Sequence, residues 1–451
     1  MKRFWLVLLS LGLVMAFSAS VFAVDVKFSG ELYEAGMYLD KTSLKKDTAT
    51  DGPSTAIWYQ RLRVRTDFIV APGLSIVTRF DAMERAWGAA RSAPSAIMAD
   101  TGGQGSSMSA GTVAENENIN FDWAYARYQS PIGEFRVGWQ DDGPWGTVFG
   151  DTSYVNARVL WLDTYGPLLV LAGIVQLSDT SYTAKNPQLQ SDTDNIKYAL
   201  GAAYMGKWGS AGLLVGYWRY AQFRSPTEAV SQVMSFWGAL PYAIVQIGPV
   251  KIQAEIDYVN GKYPKYDSTG GKDVTLDNIE GWIDATVTLG PVYFGGTFAY
   301  VAGDDKSTTD KMEGGGLSGG RDWDPCLILW NYNDRYKWLG SLAGNGGSSN
   351  DFGVTNAWFY QGRVGVKPTA KLDIMAAFTY ATADKDPTAS GWVSKNYGYE
   401  LDVTATYKFT NNLSYMLGAG YLWTGDYYKG TNAASSVTNN YLLINKLTLT
   451  F

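Results

Sequence analysis

The chain has 451 residues, a net charge of −6, 14% aromatic residues and only 18% charged residues. The acidic balance argues against a nucleic-acid partner. His is absent and Cys326 is the only cysteine, so the sequence excludes a Ser-His-Asp triad, a zinc site of Cys and His ligands, a CxxCH haem site and an internal disulfide.

Residues 1–23 have the composition of a secretory signal. A basic start (MKR) precedes an apolar run, and the segment ends in the small-residue sequence VFA. The run is too short for a lasting membrane span, so cleavage near Ala23 is predicted. No Pro- or Ser-rich linker divides the remainder, and 24–451 is therefore predicted to be one domain.

Apolar and polar residues alternate through most of this domain. The pattern is clear in YQRLRVRTDF (59–68), LDNIEGWIDATVTL (276–289), AKLDIMAAFTY (370–380) and YELDVTATYKF (399–409). Strict alternation over such lengths predicts strands longer than those typical of soluble proteins.

Two kinds of connection separate the alternating stretches. Long polar connections occur, for example at 86–117 and 304–353. Short connections contain Gly or Pro, which favour tight turns: APG (71–73), PIG (131–133), YGP (165–167), GKWGS (206–210), IGP (247–249), LGP (289–291), KPTA (367–370) and TNN (410–412). The pattern predicts an all-β protein, an antiparallel up-and-down transmembrane β-barrel of about 18 strands, with 16 as the alternative, short periplasmic turns and long extracellular loops.

The charged residues indicate which face looks inward. Arg61, Arg63 and Arg65 share one face of a strand, and each would cost about 2–4 kcal/mol if it faced lipid near mid-membrane. Their face is therefore predicted to line a wet interior, whereas a soluble two-sheet sandwich, the alternative, would turn its apolar faces inward. The predicted pore-lining residues are Arg61, Arg63, Arg65, Arg79, Arg136, Arg158, Arg219, Glu255, Asp257, Glu280, Asp284, Asp373, Glu400 and Asp402.

The positive and the negative residues of this set lie in different halves of the chain. Arginines come first along the chain and carboxylates second, so a closed ring would place them on opposite sides. We expect a transverse field across the lumen; the alternative is local neutralisation, because Asp67 and Asp81 lie among the arginines.

Two segments are candidates for narrowing the lumen, since a barrel of this size otherwise leaves a wide channel. The first, 140–154, is rich in Gly, and its constriction candidates are Asp141, Asp142, Trp145, Phe149 and Asp151. Their spacing does not predict a metal site. The second, 304–353, contains DWDPCLILWNYNDRYKWL, which predicts packing over or into the pore mouth or a partner surface, with Cys326 buried and inert.

The chain ends in YLLINKLTLTF, an alternating stretch that predicts a last strand pairing with the first to close the barrel. Aromatic residues near strand ends, such as Tyr399 and Trp423, predict two interfacial belts, although aromatics also favour strands in general.

Four stretches carry a family resemblance: 61–88, 121–151, 157–173 and 413–430 with the ending at Phe451. They resemble Gram-negative outer-membrane porins, most closely the alginate-export-like family. The resemblance implies an 18-stranded barrel that passes an anionic polysaccharide or another solute across the outer membrane. The terminal Phe451 also resembles the signal read by the outer-membrane assembly machinery. The segment 304–353 has no counterpart in the family.

These observations predict an outer-membrane porin for passive diffusion of small polar or anionic solutes. A selective exporter of an anionic polysaccharide is the alternative, and a barrel sheath or structural surface protein for a redox or adhesive partner is another. Membrane lipid and lipopolysaccharide are expected partners, and a homo-oligomer is left open. No cofactor and no enzyme activity is expected, because carboxylates two residues apart on a strand, such as Glu255 and Asp257, are more often pore lining than a glycosidase pair.

Overall fold

The computed structural model describes residues 24–44, 54–88, 119–152, 154–179, 192–225, 230–268, 270–314, 320–340, 342, 353–387 and 391–451. The predicted signal segment, 1–23, lies outside these residues, as does most of the predicted loop 86–117.

Nineteen strands are present in the described ranges, and eighteen of them form one antiparallel sheet that closes on itself. The strands are β1 (Asp25–Leu39), β2 (Thr55–Ala71), β3 (Leu74–Ala86), β4 (Ile119–Ser130), β5 (Gly133–Asp141), β6 (Val155–Tyr165), β7 (Leu168–Ser178), β8 (Asn195–Gly206), β9 (Gly209–Tyr220), β10 (Gln232–Ile247), β11 (Val250–Tyr266), β12 (Thr275–Leu289), β13 (Val292–Val301), β14 (Lys311–Met312), β15 (Ala357–Thr369), β16 (Leu372–Thr382), β17 (Asn396–Lys408), β18 (Leu413–Thr424) and β19 (Asn440–Thr450). The two-residue β14 pairs in parallel with β12 and is not part of the barrel. The predicted fold and the count of 18 are confirmed.

The eight predicted tight turns each join neighbouring strands on one side of the barrel. In the three X-Gly-Pro turns, Gly166, Gly248 and Gly290 have φ of 61°, 56° and 62°. This left-handed conformation is accessible to Gly at little cost, which explains why the chain reverses within two residues there.

The first and last strands close the barrel, as the alternating chain end predicts. β1 pairs with β19 from Glu31 opposite Thr450 to Leu39 opposite Leu442. Gly30 and Phe451 then exchange backbone hydrogen bonds of 2.9 and 3.1 Å. The backbone of the terminal residue therefore extends the hydrogen-bonded ladder.

The outer face of the barrel is apolar and ends in aromatic residues on both sides. Leu200, Ile256 and Phe378 are exposed outward, while Asp257 next to Ile256 points inward. Outward aromatics near the tight turns include Tyr128, Tyr165, Trp208, Tyr407 and Phe409, and those near the long loops include Trp58, Trp237, Tyr360, Tyr399, Trp423 and Tyr441. Such belts are typical of barrels at the two lipid–water interfaces.

A hydrophobic cluster lies inside the barrel. It joins Ile328, Leu329 and Trp330 to inward residues such as Tyr59 and Phe359. The described helical turns are short, Tyr332–Tyr336, Lys337–Leu339 and Asp426–Lys429. Within the described ranges, no helix combines the length and apolarity needed to cross a membrane.

Candidate channel lumen and its two inward segments

The predicted arginines of β2 and β3 lie on the inner face, and each pairs with a carboxylate there. Arg63 binds Asp81 through Nε and Nη2, both at 2.7 Å. Arg65 Nε lies 2.9 Å from Asp67 Oδ1. The other pairs are Arg61–Glu31 at 3.2 Å and Arg79–Asp122 at 3.0 Å. These contacts show local pairing of the arginines with carboxylates, which was the alternative to a transverse field. The transverse field stays a prediction.

The predicted basic residues of β5, β6 and β9 are paired as well: Arg136 with Glu134 at 2.6 Å, Arg158 with Asp142 at 3.2 Å and Arg219 with Asp192 at 2.7 Å. Some inner-face cations were not identified from the sequence, among them Lys197 on β8 and Arg127 on β4. Lys197 Nζ lies 2.8 Å from Asp142 Oδ2. Its inward neighbours along the strand are the uncharged Asn195 and Ala199, so the apolar outward residues are what reveal the face on which it lies.

The predicted carboxylates of β11, β12 and β17 also point inward, but other groups cover them. Glu255 accepts a hydrogen bond from the amide of Thr147 at 2.8 Å. Asp284 binds Arg363 at 2.6 and 2.8 Å. In contrast, Asp373 lies near the tight-turn side, is partly exposed, and accepts a hydrogen bond from the Tyr293 hydroxyl at 2.9 Å. Most of the predicted acidic lining is thus packed rather than open.

Three of the carboxylates on β11 and β12 leave oxygens without a partner in the described structure. They are Glu255, through Oε1, and Asp257 and Glu280, through both oxygens. Asp257 and Glu280 face each other across β11 and β12. Burying such groups without hydrogen bonds or counter-charges is costly.

The constriction loop, the described residues 142–152 of the predicted segment 140–154, turns into the lumen. Trp145 donates its amide to Asp151 Oδ1 at 2.7 Å and its indole Nε1–H to the Leu240 carbonyl at 2.9 Å. The Phe149 side chain is completely buried. Burial raises the pKa of Asp151 to about 7, and nearby Asp322 acts in the same direction. The loop is therefore anchored to the barrel through Trp145 and Phe149.

A second inward segment, residues 320–340, fills part of the other half of the lumen; we call it the plug segment. The amides of Ile328 and Leu329 donate to Glu400 Oε1 and Oε2 at 2.6 and 2.8 Å. The amide of Leu327 donates to Asp402 Oδ2 at 3.2 Å. The two carboxylates of β17 therefore serve as acceptors for the backbone of the plug segment.

Arg335 holds the plug segment in its own fold. Its side chain is fully buried, with Nε donating to the Ile328 carbonyl at 2.6 Å and Nη1 to the Gly340 carbonyl at 2.9 Å. Trp338 stacks on Tyr59 of β2 at 4.4 Å between ring centroids. The plug segment thus spans from β17 to β2.

The two inward segments contact each other directly. The Gly320 amide donates to the Phe149 carbonyl, and the Arg321 amide donates to Thr152 Oγ1 at 3.1 Å. The Phe149 and Trp323 rings meet edge to face at 5.4 Å. The constriction is therefore built from two segments that are distant in sequence, since Arg321 and Thr152 are 169 residues apart.

A cavity of about 690 Å³ remains open beside these segments, on the side of β4 to β11. Its apolar lining includes Leu160 and Trp218. Its charged lining consists of three basic residues and three carboxylates: Arg136, Arg158, Lys197, Asp141, Asp142 and Glu255. This volume is in the range of small-molecule sites.

Comparisons with known proteins support the fold. No family model matches the chain and no curated protein matches it. Among solved structures, Pseudomonas aeruginosa OccK9 (OpdG) matches at 13% identity with a TM-score of 0.54, covering 95% of this chain and 99% of that one. OccK11 (OpdR) of the same organism matches at 14% identity with a TM-score of 0.50, covering 95% and 96%.

The outer-membrane protein OpdK of Pseudomonas aeruginosa matches at 13% identity with a TM-score of 0.50, covering 94% of this chain and 99% of that one. A second OpdK structure, with vanillate, matches equally well. The closer resemblance to the alginate-export-like family gains no support from these comparisons. The chain therefore has the same barrel fold as the outer-membrane protein OpdK.

Proposed function

We propose that the chain is an outer-membrane channel through which small anionic solutes diffuse along the basic side of the lumen. The observation that carries this proposal is the relative exposure of arginine and carboxylate within three of the ion pairs. Side-chain exposure is 36% for Arg65 against 19% for Asp67, and 32% for Arg136 against 19% for Glu134. Arg63 and Asp81 show the same order. In these three pairs the guanidinium group is the more exposed partner and faces the passage. The order is reversed in the pairs Arg61–Glu31, Arg79–Asp122 and Arg219–Asp192.

The covered carboxylates strengthen this asymmetry. Glu400 and Asp402 lie under the plug segment, and Glu255 lies under the constriction loop. An anion that enters the cavity would meet two cations, Arg158 and Lys197, which share the single carboxylate of Asp142. Screening by salt is weak at such short distances. We therefore expect anions to be concentrated in the passage and cations to be depleted.

Placement in the outer membrane is supported by the apolar outer face, the two aromatic belts and closure of the barrel at Phe451. Lipid and lipopolysaccharide are then the proposed surroundings, and the assembly machinery is the proposed partner of the last strand. In addition, vanillate, the ligand in one matched OpdK structure, is a small carboxylate of the class proposed here.

The dimensions of the lumen favour small solutes over a polysaccharide. Both inward segments occupy the described lumen, and the cavity beside them has about 690 Å³. A polymer would require both segments to move aside. No contact in the described structure favours a redox or adhesive partner.

Liposome swelling tests the proposal. Vesicles containing the purified chain should admit a small carboxylate faster than its uncharged amide, and should exclude an acidic polysaccharide. Swelling no faster than that of protein-free vesicles would overturn the channel, and faster entry of the amide would overturn the anion preference.

A further inference from the structure

One cluster of potential metal ligands joins the plug segment to the barrel. Cys326 belongs to the plug segment, and Glu400 and Asp402 project inward from β17. One donor atom from each of the three lies within 4.8 Å of the others, and no other group of three or more such residues in the described structure meets this condition. The donors come from two separate parts of the chain, so an ion held by all three would connect them.

The cluster is buried and short of positive charge. Exposure is 4% for Cys326, 0% for Glu400 and 3% for Asp402. Three backbone amides of the plug segment reach the carboxylates, but Asp402 Oδ1 has no hydrogen-bond partner in the described structure. Two adjacent buried carboxylates need a cation or a proton between them, because unpaired buried charge is strongly destabilising.

We propose that Cys326, Glu400 and Asp402 form a binding site for a divalent cation of the zinc class. Sulfur together with carboxylate oxygen suits Zn²⁺, whereas Ca²⁺ and Mg²⁺ take oxygen ligands alone. Ligand atoms on a tetrahedral Zn²⁺ lie roughly 3.4–3.6 Å apart, a separation that side-chain adjustments within the 4.8 Å cluster supply. Thr379 Oγ1, 3.4 Å from the Cys326 sulfur, is the adjacent oxygen for a fourth position.

The sequence excludes the usual Cys and His zinc sites, and this site instead relies on two carboxylates that the fold brings to the single cysteine. Binding replaces the thiol proton, which passes to water, by a sulfur–metal bond. A bound ion stabilises the seated plug segment over any displaced one by RT ln(1 + c/Kd), where c is the free metal concentration. The channel would then respond to divalent cations, although the site itself does not depend on channel activity.

Cadmium titration of the folded chain in detergent tests the site, with chelator-treated protein as the starting point. Because the chain has one cysteine, any ultraviolet cadmium–thiolate band reports Cys326. We expect a band that saturates at one equivalent, is displaced by Zn²⁺ and is absent in Cys326→Ser. Zn²⁺ should also slow maleimide alkylation of Cys326 at least tenfold.

Carboxylate variants separate a three-ligand site from a thiol that binds metal alone. Glu400→Gln and Asp402→Asn should each weaken cadmium binding at least tenfold, whereas Asp373→Asn on the neighbouring strand should bind like the parent. Asp402→Asn keeps the acceptor for the Leu327 amide, so it remains informative if Glu400→Gln fails to fold. The site is overturned if the parent shows no band even when refolded with cadmium, or if carboxylate variants that fold bind as tightly as the parent.

Discussion

Lys446 Nζ of the last strand lies 2.9 Å from Asp334 Oδ1 of the plug segment. The Tyr59 hydroxyl donates to the same oxygen at 3.2 Å. The strand that closes the barrel therefore also holds the segment that narrows it, and both contacts are largely shielded from solvent.

Removing the Lys446 charge should loosen the plug segment while the barrel stays closed. In Lys446→Gln, Asp334 loses its counter-charge in a half-buried site, at a cost of about 1–2 kcal/mol. We expect larger and noisier single-channel currents and unchanged heat-modifiable mobility on gels. Lys446→Arg keeps the charge and is the matched control; equal currents in all three proteins would show that this pair does not hold the plug.

The amide contacts of Glu400 predict a local effect on hydrogen exchange. Glu400→Ala leaves the amides of Ile328 and Leu329 without acceptors, and each unsatisfied buried group costs about 1–3 kcal/mol. Exchange in 327–329 should rise by at least tenfold. Glu400→Gln retains one carbonyl acceptor, so its exchange rate should lie between those of the parent and of Glu400→Ala. Unchanged protection in the alanine variant would contradict the contact.

The raised pKa of Asp151 predicts a pH effect on the constriction loop. Its ordinary value is 3.8 and burial raises the pKa to about 7, so the folded loop binds the proton more tightly than the unfolded one. The proton on Asp151 therefore stabilises the folded loop by about 2–4 kcal/mol below pH 4, and this stabilisation is lost as the pH rises through 7. Current fluctuations should therefore increase between pH 5 and 8.

Asp151→Asn provides the control for this pH effect. The amide cannot ionise, so fluctuations of the variant should be the same at pH 5 and pH 8. A pH response that survives the substitution would assign the effect to another group.

The closure of the barrel is predicted to require a residue without a side chain at position 30, where Gly30 lies. A Cβ there would lie 2.2 Å from the Arg63 carbonyl oxygen and 2.7 Å from the Phe451 ring. Gly30→Ala should lower the yield of folded barrel several-fold in refolding assays followed by heat-modifiable mobility. Gly362→Ala is the control, because a Cβ at that strand position meets no atom within 4 Å; equal yields would contradict the tight closure.

The barrel could be predicted because its signals are local. Alternation fixes the face of each residue from its neighbours, as in 399–409, and Gly166, Gly248 and Gly290 mark reversals through their own backbone preferences. The face of Glu400 follows from this pattern, but what covers it does not.

The position of the plug segment inside the barrel could not be predicted from the sequence. Its contacts are with residues far away in the sequence, and its own backbone amides make them. Ile328 and Glu400 are 72 residues apart, and an amide donor leaves no trace in residue type. Carboxylates on an inner face are typical of both solvated lining and anchors for a folded-in loop. Similarly, Lys197 is the only charged residue of β8, and its inward neighbours Asn195 and Ala199 carry no charge that would mark a lumen-facing strand.

The reversal potential of the purified chain in a planar bilayer, measured across a potassium chloride gradient, tests the central claim most directly. The structure predicts stepwise currents that reverse toward the chloride equilibrium potential. Joint replacement Arg63→Gln, Arg65→Gln and Arg136→Gln should move the reversal toward zero, while the charge-conserving pair Arg63→Gln with Asp81→Asn should move it much less. An absence of current steps, or reversal toward the potassium potential in the parent chain, would contradict an anion-conducting lumen.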